Sequence, residues 1–419
     1  MSKTKKPTDM HAQGEQPPGL DPAFMRGLTQ PRLSRSSFLR GGAAGLGLLA
    51  LGGAAPAFAA DKTDWKAWWA KQKPTKDLVF ANWPYYIDVT NNGATHPSLD
   101  EFTKATGIKV KYLEVIQEIP EFYAKIAPVL KAGQSTGYDI VVITNRWELE
   151  ELILQNWLTP LWHEKLPNFK KYASPNVVSP SYDPGNKYTA VWQSGFTGIA
   201  YNPKLTKREI TSIEDLWDPA FAGHVGMMND NLELGSLALL KLGIDPTTST
   251  PDDWAKAAAV LKDQKQKGLV RQYYDQSYIN ALENGDTWIT QAWSGDIYQA
   301  NEKGYKDLKF VVPKEGVMIW HDNMAIPVGA QNPLSALDWM NFYYTPKIAG
   351  IVEDYVDYVC PVPDAQQYIL NVLKDPAVAN SELVFPTSQT YAKSHLFPAF
   401  KNYAEYQKWN STFNPIIQG

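Results

Sequence analysis

The sequence predicts an α/β protein of two lobes, each a mainly parallel sheet flanked by helices. Three observations predict it. Short β-rich runs alternate with helical patterns at the spacing of βαβ units. About 360 residues remain once an N-terminal leader is set aside, enough for two lobes. No Gly/Ser linker and no internal repeat interrupts that stretch, so the lobes should be joined by strands that cross between them rather than by a tether.

Strands are expected at 78–83, 109–115, 139–144, 197–201, 224–228, 288–293, 308–312 and 324–327, where β-branched and aromatic residues cluster between turn residues. Helices fit between them. Ser98-Leu99-Asp100-Glu101 has the form of a capping box opening a helix that Gly107 stops, and a helix over 122–130 ends at Gly133 in the same manner. Later helices are expected at 234–242, 252–266, 278–284, 333–343 and 347–353. The corresponding domain boundaries are a leader to residue 60, a first lobe of 61–195 with 323–366, and a second of 196–322 with 367–419.

Residues 41–60 are rich in Gly, Ala and Leu, follow Arg32, Arg35 and Arg40, and end in Ala57-Phe58-Ala59. That is the order of parts in a cleavable export signal, with cleavage near residues 59–60 and a mature chain from Ala60 or Asp61. The run Ser34-Arg35-Ser36-Ser37-Phe38-Leu39-Arg40 resembles the twin-arginine export motif, with Ser36 where the second arginine should stand, so the twin-arginine and general secretory routes both stay open. Met25 is a plausible start, since the residues before it are polar and unpatterned. The single cysteine, Cys360, rules out an intrachain disulfide, lies far from the signal junction where a lipid anchor would sit, and reads as a small buried residue before Pro361. An exported protein of the periplasm or cell envelope is expected.

Charge narrows the partners. The chain has 40 Lys and Arg against 44 Asp and Glu, and the first sixty residues hold seven of the bases and three of the acids, leaving 33 against 41. A moderately acidic surface disfavours nucleic acid and anionic lipid. Signatures of catalysis are missing: there is no Gly-rich phosphate loop, no Gly-x-Ser-x-Gly elbow and no His pair on a helix face, and the six histidines are scattered singly. No catalytic residue, metal or cofactor is therefore assigned, and a monomer is expected. Glu148, Glu150 and Glu151 read as a solvated helix face.

Acidic groups beside aromatics carry the chemistry. Asp230 and Glu233 flank the start of the expected 234–242 helix, where their i, i+3 spacing matches an acidic capping box, yet a strand-to-helix turn is also where α/β folds place ligands. Asp322 follows Trp320 inside a strand-like run, a costly place for an acid without a partner. Trp83, Trp293 and Trp320 each end such a run. Tyr274-Asp275 and Tyr278 form a Tyr-rich loop, read either as packing or as additional contact. Acids and ring faces together suit an organic cation with an apolar stem.

Nearly the whole of 61–419 resembles, in order, the substrate-binding protein of a spermidine/putrescine ABC transporter. The resemblance is carried by Asn82-Trp83-Pro84-Tyr85-Tyr86-Ile87, Phe102-Thr103-Lys104-Ala105-Thr106-Gly107-Ile108-Lys109-Val110, Gly137-Tyr138-Asp139-Ile140-Val141-Val142, Gly198-Ile199-Ala200-Tyr201-Asn202, Asp215-Leu216-Trp217, Ala292-Trp293-Ser294-Gly295 and Trp320-His321-Asp322. It implies a periplasmic-binding-protein-like fold of type II that closes on its ligand between the lobes and hands it to a membrane permease. On this resemblance Trp83, Tyr86, Trp293, Trp320 and Tyr358 wall the cleft, Tyr85 stands beside them, and Asp230, Glu233 and Asp322 receive ammonium groups. Three departures are visible. Pro84 replaces a hydroxyl residue, Thr144 stands for a Ser, and Arg146 falls where an aromatic is expected. An Arg aimed into the cleft would repel an amine; either it turns outward, with Trp147 taking the aromatic role, or the ligand is not a simple polyamine. Competing readings are a receptor for another cation, a quaternary ammonium or a sugar, and an exported glycan-active enzyme using two of the carboxylates.

Overall fold

The computed structural model describes residues 63–90, 95–302, 304 and 307–418; the expected export leader lies outside them. Ten strands form one curled sheet: β1 (Asp77–Asn82), β2 (Lys109–Glu114), β3 (Ile140–Thr144), β4 (Thr189–Tyr201), β5 (Val225–Met228), β6 (Val270–Tyr274), β7 (Ile289–Trp293), β8 (Lys309–Val311), β9 (Val317–Ala325) and β10 (Ser394–His395). Their order is β2-β1-β3-β9-β4-β7-β5-β6, with β8 beside β4 and β10 beside β9. β1 pairs parallel with β2 and β3, as β5 does with β6 and β7. β4 and β9 run antiparallel to each other, and respectively to β7 and β3. Each lobe is thus parallel on its outer side and antiparallel where the two crossing strands enter.

The crossing strands are wholly buried, which explains why the expected strands at 197–201 and 324–327 caught only one end of each. Their other halves carry Gln193, Ser194, Asp322 and Asn323 among apolar residues and lack the apolar run of a buried strand. Between Val191 and Gln193 the register shifts by one residue, leaving Trp192 as the extra residue of a bulge. Its ring drops into the first core, 4.3 Å from Tyr343 and 5.6 Å from Phe80, while its Nε1 donates to the Tyr86 carbonyl at 3.1 Å. Val359 bridges to Ser194 as a third crossing segment. On the face away from Asp322, Ser194 Oγ lies 2.5 Å from His321 Nδ1, both residues being buried, and burial pushes the imidazole down to about 4.

Two cores flank the crossing. The first joins residues from Trp69 to Trp192, Trp147 excepted, with Met324 to Val384; the second is built from Trp147 and residues between Ile199 and Trp320 with Phe397 to Ile416. The segment 367–419, expected in the second lobe, therefore divides: Ile369, Val378, Ala379 and Val384 pack in the first core. Cys360 is buried, as its small apolar character suggests.

Several local expectations change. His96 rather than a Ser98 capping box precedes the Pro97–Thr106 helix, and Ser98 instead binds Asp88; Gly107 does stop that helix, at φ 72°. β6 and the helices Ser294–Glu302 and Tyr403–Gln418 are additional elements. Glu148, Glu150 and Glu151 do not form a solvated face. Glu148 is buried, Glu150 accepts from the Phe400 amide at 3.4 Å, and burial raises the Glu150 carboxyl to about 7. The cause is Phe400 together with the Tyr403–Gln418 helix, which cover this face of Trp147–Leu154.

Gly195 faces the Trp320 ring across β4 and β9. A Cβ built there lies 2.3 Å from the indole. Gly195→Ala is expected to lower stability by about 1–3 kcal/mol, an overpacking cost, read from the urea midpoint. An unchanged midpoint would show that Trp320 yields freely.

Candidate ligand-binding site

One row of side chains crosses three strands on one face of the sheet: Thr144 of β3, Asp322 of β9 and Gln193 of β4 are register partners. Asp322 is buried, its Oδ2 accepting from Tyr86 Oη at 2.8 Å and its Oδ1 from Thr144 Oγ1 at 2.5 Å. Tyr86 reaches it because the chain turns sharply after β1, with Tyr85 held at φ 59° and its amide donating to Glu114 at 2.9 Å. A non-glycine residue in that region is strained by about 1–2 kcal/mol. Gln193 is fully buried and neither its Oε1 nor its Nε2 has a hydrogen-bond partner.

From Asp322 a file of rings leads away. Tyr86 and Tyr358 meet edge to face at 5.6 Å, and Tyr358 lies 5.5 Å from Trp320. The Trp320 indole donates to Thr197 Oγ1 at 3.2 Å, and Thr197 donates to Glu233 Oε1 at 2.9 Å. The same Oε1 takes Trp293 Nε1 at 3.0 Å, whereas Glu233 Oε2 is buried without a partner.

Asp230 caps the Asn231–Lys241 helix, its Oδ1 accepting from the amides of Leu232 at 2.9 Å and Glu233 at 3.1 Å. Glu233 does not complete a capping box; its carboxyl turns to Thr197 and Trp293 instead. Capping and site geometry are thus compatible, because the first turn of the helix aims Glu233 at the crossing strands.

A further acid escaped the sequence reading. Asp296 is buried in the first turn of Ser294–Glu302, accepting from Tyr278 Oη at 2.6 Å and Tyr358 Oη at 3.3 Å. It stands one residue past Ala292-Trp293-Ser294-Gly295, at the strand-to-helix turn after β7, a position that could have drawn attention. Thr197 and Gln193 escaped too, and the bulge hides Gln193 from any alternation count.

Electrostatics follow from burial. It pushes the Asp322 carboxyl up to about 6, against the hydrogen bonds from Thr144 and Tyr86 and the charge of Arg146. Burial and the neighbouring Asp230 push Glu233 up to about 7. Burial would raise Asp230 as well, yet Arg146 and the cap amides hold it below its ordinary value. Arg146 Nη1 contacts Asp230 Oδ2 at 2.8 Å. Burial would lower the guanidinium, but Asp230, Glu148 and Glu233 keep it above its ordinary value. Arg146 thus turns neither outward nor toward a free anion.

Not every candidate joins this network. The Trp83 ring packs on the first core, and its Nε1 is buried with no hydrogen bond. Trp147 faces away: it stacks on Tyr406 at 5.4 Å and 15° and donates to Glu151, so it is a packing residue between the Trp147–Leu154 helix and the C-terminal helix. Asp275 is exposed and accepts from the Ser277 amide at 3.0 Å, a turn contact. A surface hollow of about 220 Å³ lined by His163, Phe169, Lys170, Val178, Gly185 and Asn186 shares no residue with the network and offers a cation no carboxylate.

Comparison with known proteins identifies the family. The sequence profile described as "Bacterial extracellular solute-binding protein" matches residues 98–382. The chain is 31% identical over 333 residues to the spermidine/putrescine-binding periplasmic protein 1 of Haemophilus influenzae, covering 78% of this chain and 87% of that one. It is 30% identical over 346 residues to the putrescine-binding periplasmic protein SpuD of Pseudomonas aeruginosa, covering 78% and 89%. Among solved structures, the spermidine/putrescine ABC transporter substrate-binding protein PotD of Streptococcus pneumoniae superposes with a TM-score of 0.71 at 25% identity, covering 82% of this chain and 99% of that one. The Agrobacterium tumefaciens binding protein AgtB in complex with agropinic acid shares the fold alone, with a TM-score of 0.55 at 20% identity, covering 83% and 98%. These matches span most of the chain and the two-lobed α/β fold: the chain belongs to the bacterial extracellular solute-binding proteins, in the spermidine/putrescine-binding periplasmic protein family.

Proposed function

We propose that this protein is an exported, monomeric receptor that captures a polyamine, spermidine or putrescine, and delivers it to the permease of an ABC importer without covalent chemistry of its own. The leader to residue 60 is proposed to be removed on export. One observation carries the reading: a buried carboxylate, Asp322, is held between two hydroxyl donors at one end of a file of rings, while Glu233 at the other end keeps an unmatched oxygen. A polyamine has cationic ends and a methylene stem. Carboxylates take the ends through charge-assisted hydrogen bonds, and ring faces take the stem with cation–π attraction of about 0.5–2 kcal/mol. The relatives named for spermidine and putrescine support the same class.

A thermal-shift panel of putrescine, spermidine, choline, glycine betaine and sugars tests the class, since a ligand at a hundred times its Kd stabilises by about 2.7 kcal/mol. Shifts with the amines alone are expected; a shift with betaine or sugar alone would replace the ligand.

Asp322→Asn is expected to weaken amine binding at least tenfold by calorimetry, the loss of a buried charge-assisted bond of about 2 kcal/mol or more. Wild-type affinity in that variant would remove Asp322 from the site.

Both raised carboxyls must ionise to hold ammonium groups. Below about pH 6–7 the amine has to displace protons from Asp322 and Glu233, so affinity should fall as pH drops through that window and proton release on binding should peak within it. The stability of the ligand-free protein runs the other way. Groups whose folded pKa is raised contribute most at low pH, and that contribution is lost as pH rises through about 6–7. Calorimetry in buffers of different ionisation enthalpy reads the proton count, and a pH-independent affinity would contradict the assignment.

A further inference from the structure

The Asp230 end of the site already contains a cation. Asp230 Oδ1 takes two cap amides and its Oδ2 takes Arg146, so both oxygens are committed before any ligand arrives. The pair is only partly exposed, with side-chain exposures of 21% and 27%. It also bridges the lobes, since Arg146 follows β3 and Asp230 follows β5. Glu148 and Glu233 lie close enough to add to the guanidinium's compensation, and Glu118 on the first lobe feels both Asp230 and Arg146. An arginine cannot shed its charge to make room for an ammonium group.

We propose that Arg146 is a specificity-determining residue: its guanidinium occupies Asp230 as a built-in cation, so the receptor selects a ligand with two cationic ends, a diamine such as putrescine, over a triamine such as spermidine. The inference rests on the amine reading above. Of the three acids that the family resemblance assigns to ammonium groups, Asp230 is taken. What remains for a ligand is Glu233, with its unmatched Oε2, and the tyrosine-held Asp322. A third ammonium group directed to the Asp230 end would meet a fixed like charge at close range, a repulsive element of the kind that selectivity requires. The compensation of Arg146 by three carboxylates also argues against its serving as a seat for a ligand carboxylate.

Calorimetric titration of the wild-type protein with putrescine and spermidine, beside R146A and R146Q, decides the matter. The wild type is expected to bind putrescine at least tenfold more tightly than spermidine. R146A should narrow that ratio at least tenfold by a gain in spermidine affinity, and adding D230N to R146A should abolish the gain. R146Q serves the same purpose should R146A fail to fold, and the wild-type ratio stands without either. Equal wild-type affinities, tighter spermidine binding, or a ratio unchanged in a folded Arg146 variant would overturn the inference while leaving the amine reading intact. Absence of binding by either amine to the wild type would overturn the amine reading, and this inference with it.

Discussion

A carboxylate withdrawn from water is costly unless donors or cations surround it, and the centre of this protein depends on how that cost is met. Asp322, Glu233 and Asp296 are almost wholly buried and Asp230 partly so. The hydrogen bonds of Asp322 and Glu233 come from tyrosine and threonine hydroxyls and one indole rather than from a Lys or Arg. Neutral donors orient a carboxylate without cancelling its charge. The charge therefore remains available to a cation from outside, and Asp322 and Glu233 are pushed toward neutrality until one arrives. Asp230 is the exception, because Arg146 cancels it from within the chain.

The scaffold makes this possible by sending two long strands through both lobes. β9 presents Asp322 beside Thr144 of β3 and Trp320 against Gly195 of β4, so first-lobe and second-lobe contacts are spaced along one rigid ladder. Residues on strands are held more precisely than residues on loops, and here the loop contribution from Tyr86 is fixed by the Trp192 indole bonded to its carbonyl. Trp147, stacked on Tyr406, adds a fastening of the first-lobe helix to the C-terminal helix away from the site.

Much of this was legible in the sequence, and what was not has physical causes. The parallel outer strands other than β6, and most of the longer helices, announced themselves by β-rich runs and by helix stops such as Gly107. The crossing strands were only half visible because buried polar residues, Gln193 and Ser194 among them, break their apolar run. Of the carboxylates, Asp230, Glu233 and Asp322 stood out by their neighbours. Asp296 did not, because its tyrosine partners come from positions 278 and 358, which only the folded chain brings together. Trp147 and the glutamates after it were misread for one reason: the residues that cover them, Phe400 and Tyr406, lie some 250 residues later in the chain.

The Trp192 bulge carries a consequence for how such a chain can vary. Side chains alternate faces along a strand, so one extra residue inverts which face every later side chain takes. The bulge turns the indole into the first core while Gln193 stays in line with Asp322 and Thr144. Point substitutions in β4 leave that parity intact. Loss or gain of a single residue between 189 and 197 would reverse it for one lobe relative to the other. The two lobes are thus free to drift in composition but locked in count, and heritable length change belongs in the surface loops rather than in the strand that joins them.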